Sequence, residues 1–166
     1  MKLRSLSEKD LELVLSWRNH SDVKKWMFSL DNITLENHKR WFISCQDNPA
    51  KKLYVLDTGK DICGFIQFDL SGDPENPNIE WGFYRAPDSP AGSGTLLLKL
   101  ALQKAFVELN ANKVIGKVLS YNLASRHVHE KLGFEQEGLL KRHHFLLNDY
   151  YDVYCYGLTK QHWKKG

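Results

Sequence analysis

The stretch that most constrains the fold runs from residue 79 to residue 119. Residues 79–84 read as a strand, and residues 86–94 form a loop rich in Pro, Ser and Gly. From Thr95 onward, Leu97, Leu98, Ala101, Leu102, Ala105, Phe106 and Leu109 fall on one helical face, and residues 114–119 read as another strand. Strand, loop, amphipathic helix and strand in that order make a crossover connection, the place where a sheet protein is expected to bind a ligand.

The flanking segments have simpler patterns. Residues 2–6 alternate as a strand does. Ser7 followed by Asp10 reads as a helix cap with an acidic first turn, and Leu11, Val14, Leu15 and Arg18 then keep helical spacing. A short helix is predicted from Ser21-Asp22 with Val23, Trp26 and Met27, and another from Thr34 with His38, Trp41, Phe42 and Cys45 on one face. Residues 53–57 and 62–70 form a predicted hairpin around Thr58-Gly59-Lys60, and residues 71–77 form a loop. Past the crossover, residues 124–132 read as a helix stopped by Gly133. Residues 134–147 and 150–158 read as a long hairpin around Asn148-Asp149. The layout is α+β, and 166 residues suit one domain spanning 1–166.

Composition excludes several classes. Hydrophobic residues at 42% can build a core, which a disordered chain cannot. A net charge of +3, with no basic run before Lys164-Lys165, gives no argument for nucleic acid. Cys45, Cys63 and Cys155 are odd in number and form no CxxC, so neither a disulfide framework nor a zinc knuckle is predicted. His127-Val128-His129-Glu130 and His143-His144 lack HExxH spacing, and no metal is expected. Apolar runs are too short to span a bilayer and the first residues show no apolar signal region, so the expected setting is the cytoplasm, with no membrane partner.

Ala91-Gly92-Ser93-Gly94-Thr95 sits between the strand and the strong helix. Small residues let a ligand approach the backbone, and the helix start offers N–H groups and a positive dipole end to a phosphate or pyrophosphate. Neither GxxxxGK[ST] nor GxGxxG is spelled here. The alternative is a flexible loop with a helix cap.

Ser89-Pro90-Ala91-Gly92-Ser93-Gly94 resembles the Q/R-x-x-G-x-G/A pyrophosphate loop of the GNAT acetyltransferases, with Ser89 in place of Gln or Arg. Asn122-Leu123-Ala124-Ser125 is similar to that family's N-x-x-[AS] signature. His129-Glu130-Lys131-Leu132-Gly133-Phe134 is similar to Y-E-K-x-G-F. The resemblance implies a GNAT-like (acyl-CoA N-acyltransferase) fold of the α+β class, a central mixed, mostly antiparallel sheet flanked by helices, with acetyl-CoA as cosubstrate. Leu15-Ser16-Trp17-Arg18-Asn19-His20, Lys25-Trp26-Met27-Phe28 and Glu80-Trp81-Gly82-Phe83-Tyr84 resemble the PseH-type enzymes of pseudaminic acid biosynthesis. Those enzymes acetylate the 4-amino group of UDP-4-amino-4,6-dideoxy-N-acetyl-β-L-altrosamine, whose product is used in flagellin glycosylation.

The resemblance also implies roles. Phe83, Tyr84, Ala91, Gly92, Ser93, Gly94, Thr95, Asn122, Ser125 and His129 would bind acetyl-CoA, with the strand of residues 80–84 facing the thioester. Arg18, Asn19, Trp26, Met27, Phe28, Trp41 and Trp81 would line the acceptor site. Aromatic faces suit a sugar or uracil ring, and the Arg fork suits a diphosphate. For Trp26 and Trp41 the alternative is core packing. His129 stands where many members carry a tyrosine acid; it either protonates the leaving thiolate or is a structural histidine in a helix. Glu80 either takes the ammonium proton or pairs with a basic neighbour. A small-molecule nucleotide sugar is the expected partner, and a homodimer is allowed. Two alternatives stay open: acetylation of another amine (a polyamine, an antibiotic or a protein N-terminus), and a non-catalytic CoA-binding module.

Overall fold

A computed structural model describes residues 1–164, so the second lysine of the Lys164-Lys165 tail lies outside the described residues. Seven strands are β1 (Lys2–Ser5), β2 (Lys51–Asp57), β3 (Ile62–Ser71), β4 (Asn78–Arg85), β5 (Lys113–Leu119), β6 (Glu135–Leu146) and β7 (Asp149–Thr159). Five helices are α1 (Leu11–Asn19), α2 (Ser21–Lys24), α3 (Leu35–Gln46), α4 (Ser93–Gln103) and α5 (Leu123–Lys131). The strands are hydrogen-bonded in the order β1-β2-β3-β4-β5-β7-β6. Pairs β1–β2, β2–β3, β5–β7 and β6–β7 are antiparallel, and β4–β5 is parallel, as a crossover through α4 requires. The expected mixed, mostly antiparallel sheet with helices is what the chain forms.

Two compact units divide the chain. The first comprises Met1–Asp69 and Gly82–Ala101. Its strand β3 carries an unbroken buried run from Ile62 to Ile66, the pattern of a strand covered on both faces. Successive side chains explain the cover. At Gly64 a Cβ would stand 3.1 Å from Leu97 Cδ2 of α4, so the glycine lets that helix lie close. Phe65 joins Leu11, Val14, Trp17 and Phe42 in the core that α1 and α3 cover. The entry to α1 is fixed by Asp10, whose carboxylate accepts from Ser7 N–H (2.9 Å) and Ser7 Oγ–H (2.7 Å) and pairs with Arg4 (2.7 Å).

The second unit comprises Leu70–Trp81 and Leu102–Gly166. Here α4 continues into a wider π turn, Lys104–Glu108, where Leu109 N–H reaches Lys104 O at 3.0 Å. Gly133, at φ +90°, ends α5 as predicted. The tip of the long hairpin differs by one residue from the sequence expectation. Leu147 and Asn148, not Asn148 and Asp149, occupy the turn, both at positive φ (52° and 59°). That pairing matches the right-handed twist of the flanking strands, and it outweighs the poor fit of Leu to a left-handed conformation.

Candidate active site

The glycine loop lies in the first unit. Ser93 N–H donates to Pro90 O (3.1 Å) and Leu96 N–H to Gly92 O (3.0 Å). Between them, the N–H groups of Gly94 and Thr95 stand in the first turn, where no intrahelical carbonyl is available. Gly92 has φ +83°, and nothing lies within 4 Å of the place its Cβ would take. Ala91 and Gly92 are exposed, Gly94 and Thr95 half-buried. Ser93 is buried, and its Oγ has no hydrogen-bond partner. The dipole of α4 and these donors can hold a phosphate-like group.

Sequence reasoning missed Arg85. It ends β4, donates from Nη1 to Ser89 Oγ (2.7 Å), and runs its stem 3.6 Å from where a Gly94 Cβ would stand. The family pattern asks for Gln or Arg at position 89, where this chain has Ser89. The guanidinium next to the loop therefore comes from the preceding strand. A basic residue at a strand end just before the loop was the available signal.

Arg18 and a chain of contacting rings also belong to this unit. Arg18 Nη2 donates to Ser29 O (3.0 Å), while Nη1 is buried without a partner. Burial pulls the guanidinium pKa down, and nearby Tyr84 and Asp31 oppose that. Ring contacts link His38 to Trp41 (4.9 Å, stacked), Trp41 to Phe65 (6.0 Å) and Phe65 to Tyr84 (4.9 Å). Burial pushes the Tyr84 phenol well above its ordinary range, so Tyr84 stays protonated at neutral pH. His38 is 4% exposed, with Nε2 unpartnered. The sequence placed His38 on the apolar face of its helix and gave it no role.

The other residues expected around the acceptor have different fates. Asn19 uses its carboxamide on Ile33, donating to the carbonyl (2.8 Å) and accepting from the N–H (2.9 Å). It clips the segment after α2 to the end of α1, so its polar atoms serve the backbone rather than face a ligand. The helix expected to carry Trp26 is the single turn Ser21–Lys24, and Trp26 follows it, half-buried, with Lys25 Nζ 5.2 Å from its ring centroid. Met27 is half-buried and Phe28 is 40% exposed. Trp41 packs against the core, as its alternative reading held.

The remaining candidates belong to the second unit. His129 is 1% exposed. Its Nδ1 lies 2.6 Å from Ser125 O, and its Nε2 accepts from Trp81 Nε1–H at 3.0 Å. The carbonyl can only accept, so the proton sits on Nδ1 and the ring is neutral. Burial lowers its pKa, consistent with that form. The bonding matches the structural reading of His129 rather than the acid one. Trp81, expected at the acceptor site, is 5% exposed and spends its N–H on His129. Its parallel neighbour across the sheet is Gly116, and a Cβ there would overlap His129 Nε2 and stand 3.0 Å from Trp81 Nε1. The signature residues Asn122 and Ser125 are bound locally: Asn122 Oδ1 caps α5 by accepting from Ser125 N–H (3.2 Å).

Glu80 pairs with Lys117 Nζ (3.3 Å), both side chains nearly half exposed, so its ion-pair alternative is realised while the carboxylate stays open to water. Phe83 is half-buried. Among the described residues, no three His, Cys, Asp or Glu side chains are grouped to hold a metal ion, and no helix is long and apolar enough to cross a membrane. Cys45, Cys63 and Cys155 are free thiols.

Residues 1–135 match the Acetyltransferase (GNAT) domain. The SPbeta prophage-derived uncharacterized N-acetyltransferase YokL of Bacillus subtilis (strain 168) is 30% identical over 128 residues, 75% of this chain and 71% of that protein. Acetyltransferase PseH of Campylobacter jejuni subsp. jejuni serotype O:23/36 (strain 81-176) is 27% identical over 125 residues, 74% of this chain and 76% of that one. A crystal structure of spermidine N-acetyltransferase from Vibrio cholerae, in complex with CoA and spermine, has the same fold, with a TM-score of 0.88, 22% identity and coverage of 97% and 96%. The chain belongs to the GNAT acetyltransferase family. It is an N-acetyltransferase, and enzymes of this family take their acetyl group from acetyl-CoA.

Proposed function

We propose that the chain, as one catalytic domain, transfers an acetyl group from acetyl-CoA to the 4-amino group of a UDP-linked 4-amino-4,6-dideoxy sugar, in pseudaminic acid biosynthesis. One observation carries the choice of acceptor: the half-buried Arg18 guanidinium keeps one nitrogen, Nη1, without a hydrogen-bond partner. A cation there suits a diphosphate or another oxygen-rich group and opposes a polyamine, whose charges it repels. The PseH relative supports this reading by its sequence. The spermidine N-acetyltransferase shares the fold at 22% identity, which leaves the acceptor open.

On this reading, the α4 N-terminus with Gly92, Ser93, Gly94 and Thr95 holds the pyrophosphate of acetyl-CoA, and Arg85 adds a neighbouring positive charge. Backbone N–H groups of Phe83 and Tyr84 are the donors that would polarise the thioester carbonyl. Glu80, kept beside Lys117, takes the ammonium proton through water. His129 acts as a positioning residue: it holds the Trp81 indole, and so the start of β4, rather than giving up a proton. The free thiols and the cosubstrate suit the cytoplasm. CoA-thiol release measured across a panel of amines tests the acceptor. The UDP-amino sugar should outrank spermidine and peptide N-termini in kcat/KM, and removal of UDP should cost most of that value, because remote binding energy orients the amine. Spermidine outranking the UDP-sugar overturns the nucleotide-sugar reading.

A further inference from the structure

The segment from His20 to Asn32 lies between α1 and α3 in the first unit. Polar contacts hold it more than core packing does. Val23 is buried, and the other side chains from residue 20 to residue 34 are half-buried or exposed. Its helix is the single turn Ser21–Lys24, followed by two more backbone bonds, Trp26 N–H to Val23 O (3.1 Å) and Met27 N–H to Lys24 O (3.0 Å). A segment with so little apolar burial sits at the low-stability end of a fold, and its shape depends on how its ends are tied. Asn19 ties them. Its Nδ2–H donates to Ile33 O (2.8 Å), and its Oδ1 accepts from Ile33 N–H (2.9 Å). One carboxamide thus matches both backbone groups of one residue, as a paired strand would, and closes the segment into a surface loop with its ends together. Inside that closure, Arg18 Nη2–H donates to Ser29 O (3.0 Å) and Lys24 Nζ to Asn32 Oδ1 (2.8 Å). The loop so held carries Trp26 and Met27, both half-buried, and Phe28, 40% exposed.

We propose that Asn19 is a positioning residue for the acetyl acceptor: by clipping Ile33 it keeps residues 20–32 in the closed form in which Trp26, Met27 and Phe28 make a binding surface. This rests on the acceptor reading of those three side chains, whichever amine they receive. Asn19 spends its polar atoms on the backbone, so it acts through the loop and not on the substrate. Its effect is on how much of the protein has the loop closed. When the competent form is only a fraction of the molecules, the apparent acceptor affinity falls by that fraction, and saturating acceptor draws the loop closed again. Loss of the clip therefore raises KM for the acceptor and spares kcat. The glycine loop is held by its own bonds, Ser93 N–H to Pro90 O and Leu96 N–H to Gly92 O, so the cosubstrate is unaffected.

The test compares the wild type with Asn19→Ala, which removes both bonds, and Asn19→Asp, which keeps an acceptor for Ile33 N–H but sets a carboxylate against Ile33 O. Kinetics are measured with a UDP-linked 4-amino-6-deoxy sugar, spermidine and a peptide N-terminus, acetyl-CoA affinity by calorimetry, and loop opening by the rate of tryptic cleavage after Lys24 and Lys25. Asn19→Ala should raise KM for the best acceptor by about tenfold, the size of a lost pair of hydrogen bonds, with kcat and acetyl-CoA affinity within about twofold. Cleavage after Lys24 or Lys25 should become faster, and Asn19→Asp should fall between wild type and Asn19→Ala in both readouts. If Asn19→Ala does not fold, as judged by circular dichroism, Asn19→Asp carries the comparison. Faster cleavage with an unchanged acceptor KM overturns the proposal, because the clip then serves the fold alone. A higher KM without faster cleavage also overturns it, because Asn19 then acts on the acceptor directly. Parallel losses in kcat and acetyl-CoA affinity overturn it as a general loss of native enzyme. The wild-type ranking of acceptors decides the nucleotide-sugar reading separately. Spermidine as best acceptor, with its KM raised in Asn19→Ala, overturns that reading and sustains the clip. The UDP-sugar as best acceptor, with its KM unchanged in Asn19→Ala, does the reverse.

Discussion

At the scale of single residues, the plainest lesson comes from His129. Its motif position suggests an acid, yet the ring is 1% exposed and bonded at both nitrogens, to Ser125 O and Trp81 Nε1. A one-dimensional motif gives the residue type and the helix, but not what lies across the sheet from it. Gly116 decides that. Its missing side chain makes the space that the imidazole fills, 2.8 Å from where a Cβ would sit to His129 Cδ2. Gly116→Ala should therefore cost about 1–3 kcal/mol by overpacking. Thermal unfolding monitored by Trp fluorescence checks this, and an unchanged midpoint would show that the ring can move aside. The sequence did not single out Gly116, because it acquires its meaning from His129, 13 positions away on another element.

At the scale of elements, sequence periodicity served well. The predicted strands and helices all appear, most with ends displaced by one or two residues. The exceptions have local causes. The short helix after α1 stops at Lys24 because Asn19 pins Ile33 and the intervening chain must turn back. The long helix tightens into no cap at its end but widens into a π turn at Lys104–Glu108. The glycine loop gives the prediction at this scale. Gly92→Asp should place a carboxylate at the open end of α4, where it competes with a pyrophosphate for the same N–H groups. Acetyl-CoA affinity measured by calorimetry should fall by about tenfold or more. Gly92→Ala bears the same positive φ without the charge and should lose much less. Equal affinities for wild type and Gly92→Asp would remove the loop from the cosubstrate site.

At the scale of the whole molecule, two buried neutral histidines couple stability to pH. Burial holds His38 and His129 below their ordinary pKa near 6.5. When the chain unfolds in acid, both rings reach water and take up protons. The unfolded state therefore binds more protons from about pH 6.5 downward, and stability falls across that window until the folded-state values are reached. Above it both rings are neutral in both states and contribute no slope. Asp10 acts lower: Arg4 and Ser7 hold its carboxylate down at about 2, so its stabilisation persists well below neutrality. Urea unfolding at pH 7.5, 6.0 and 5.0 should show a stability decline that begins near pH 6.5 and is shallower in His129→Phe. A flat profile would mean that the imidazoles are protonated in the folded chain.

The sequence by itself determined the α+β layout, the crossover around α4, the glycine loop and the family to which they point. These depend on local properties: the period of apolar residues, the permissiveness of glycine and the breaking of helices by turn residues. Tertiary structure alone decided which side chains in those elements are left with unused polar atoms. Asn19 and Arg18 are adjacent in the chain, yet one is consumed by Ile33 and the other keeps Nη1 unpaired. Whether a polar group is satisfied depends on what packs against it from distant segments, and spacing along a chain carries no information about that.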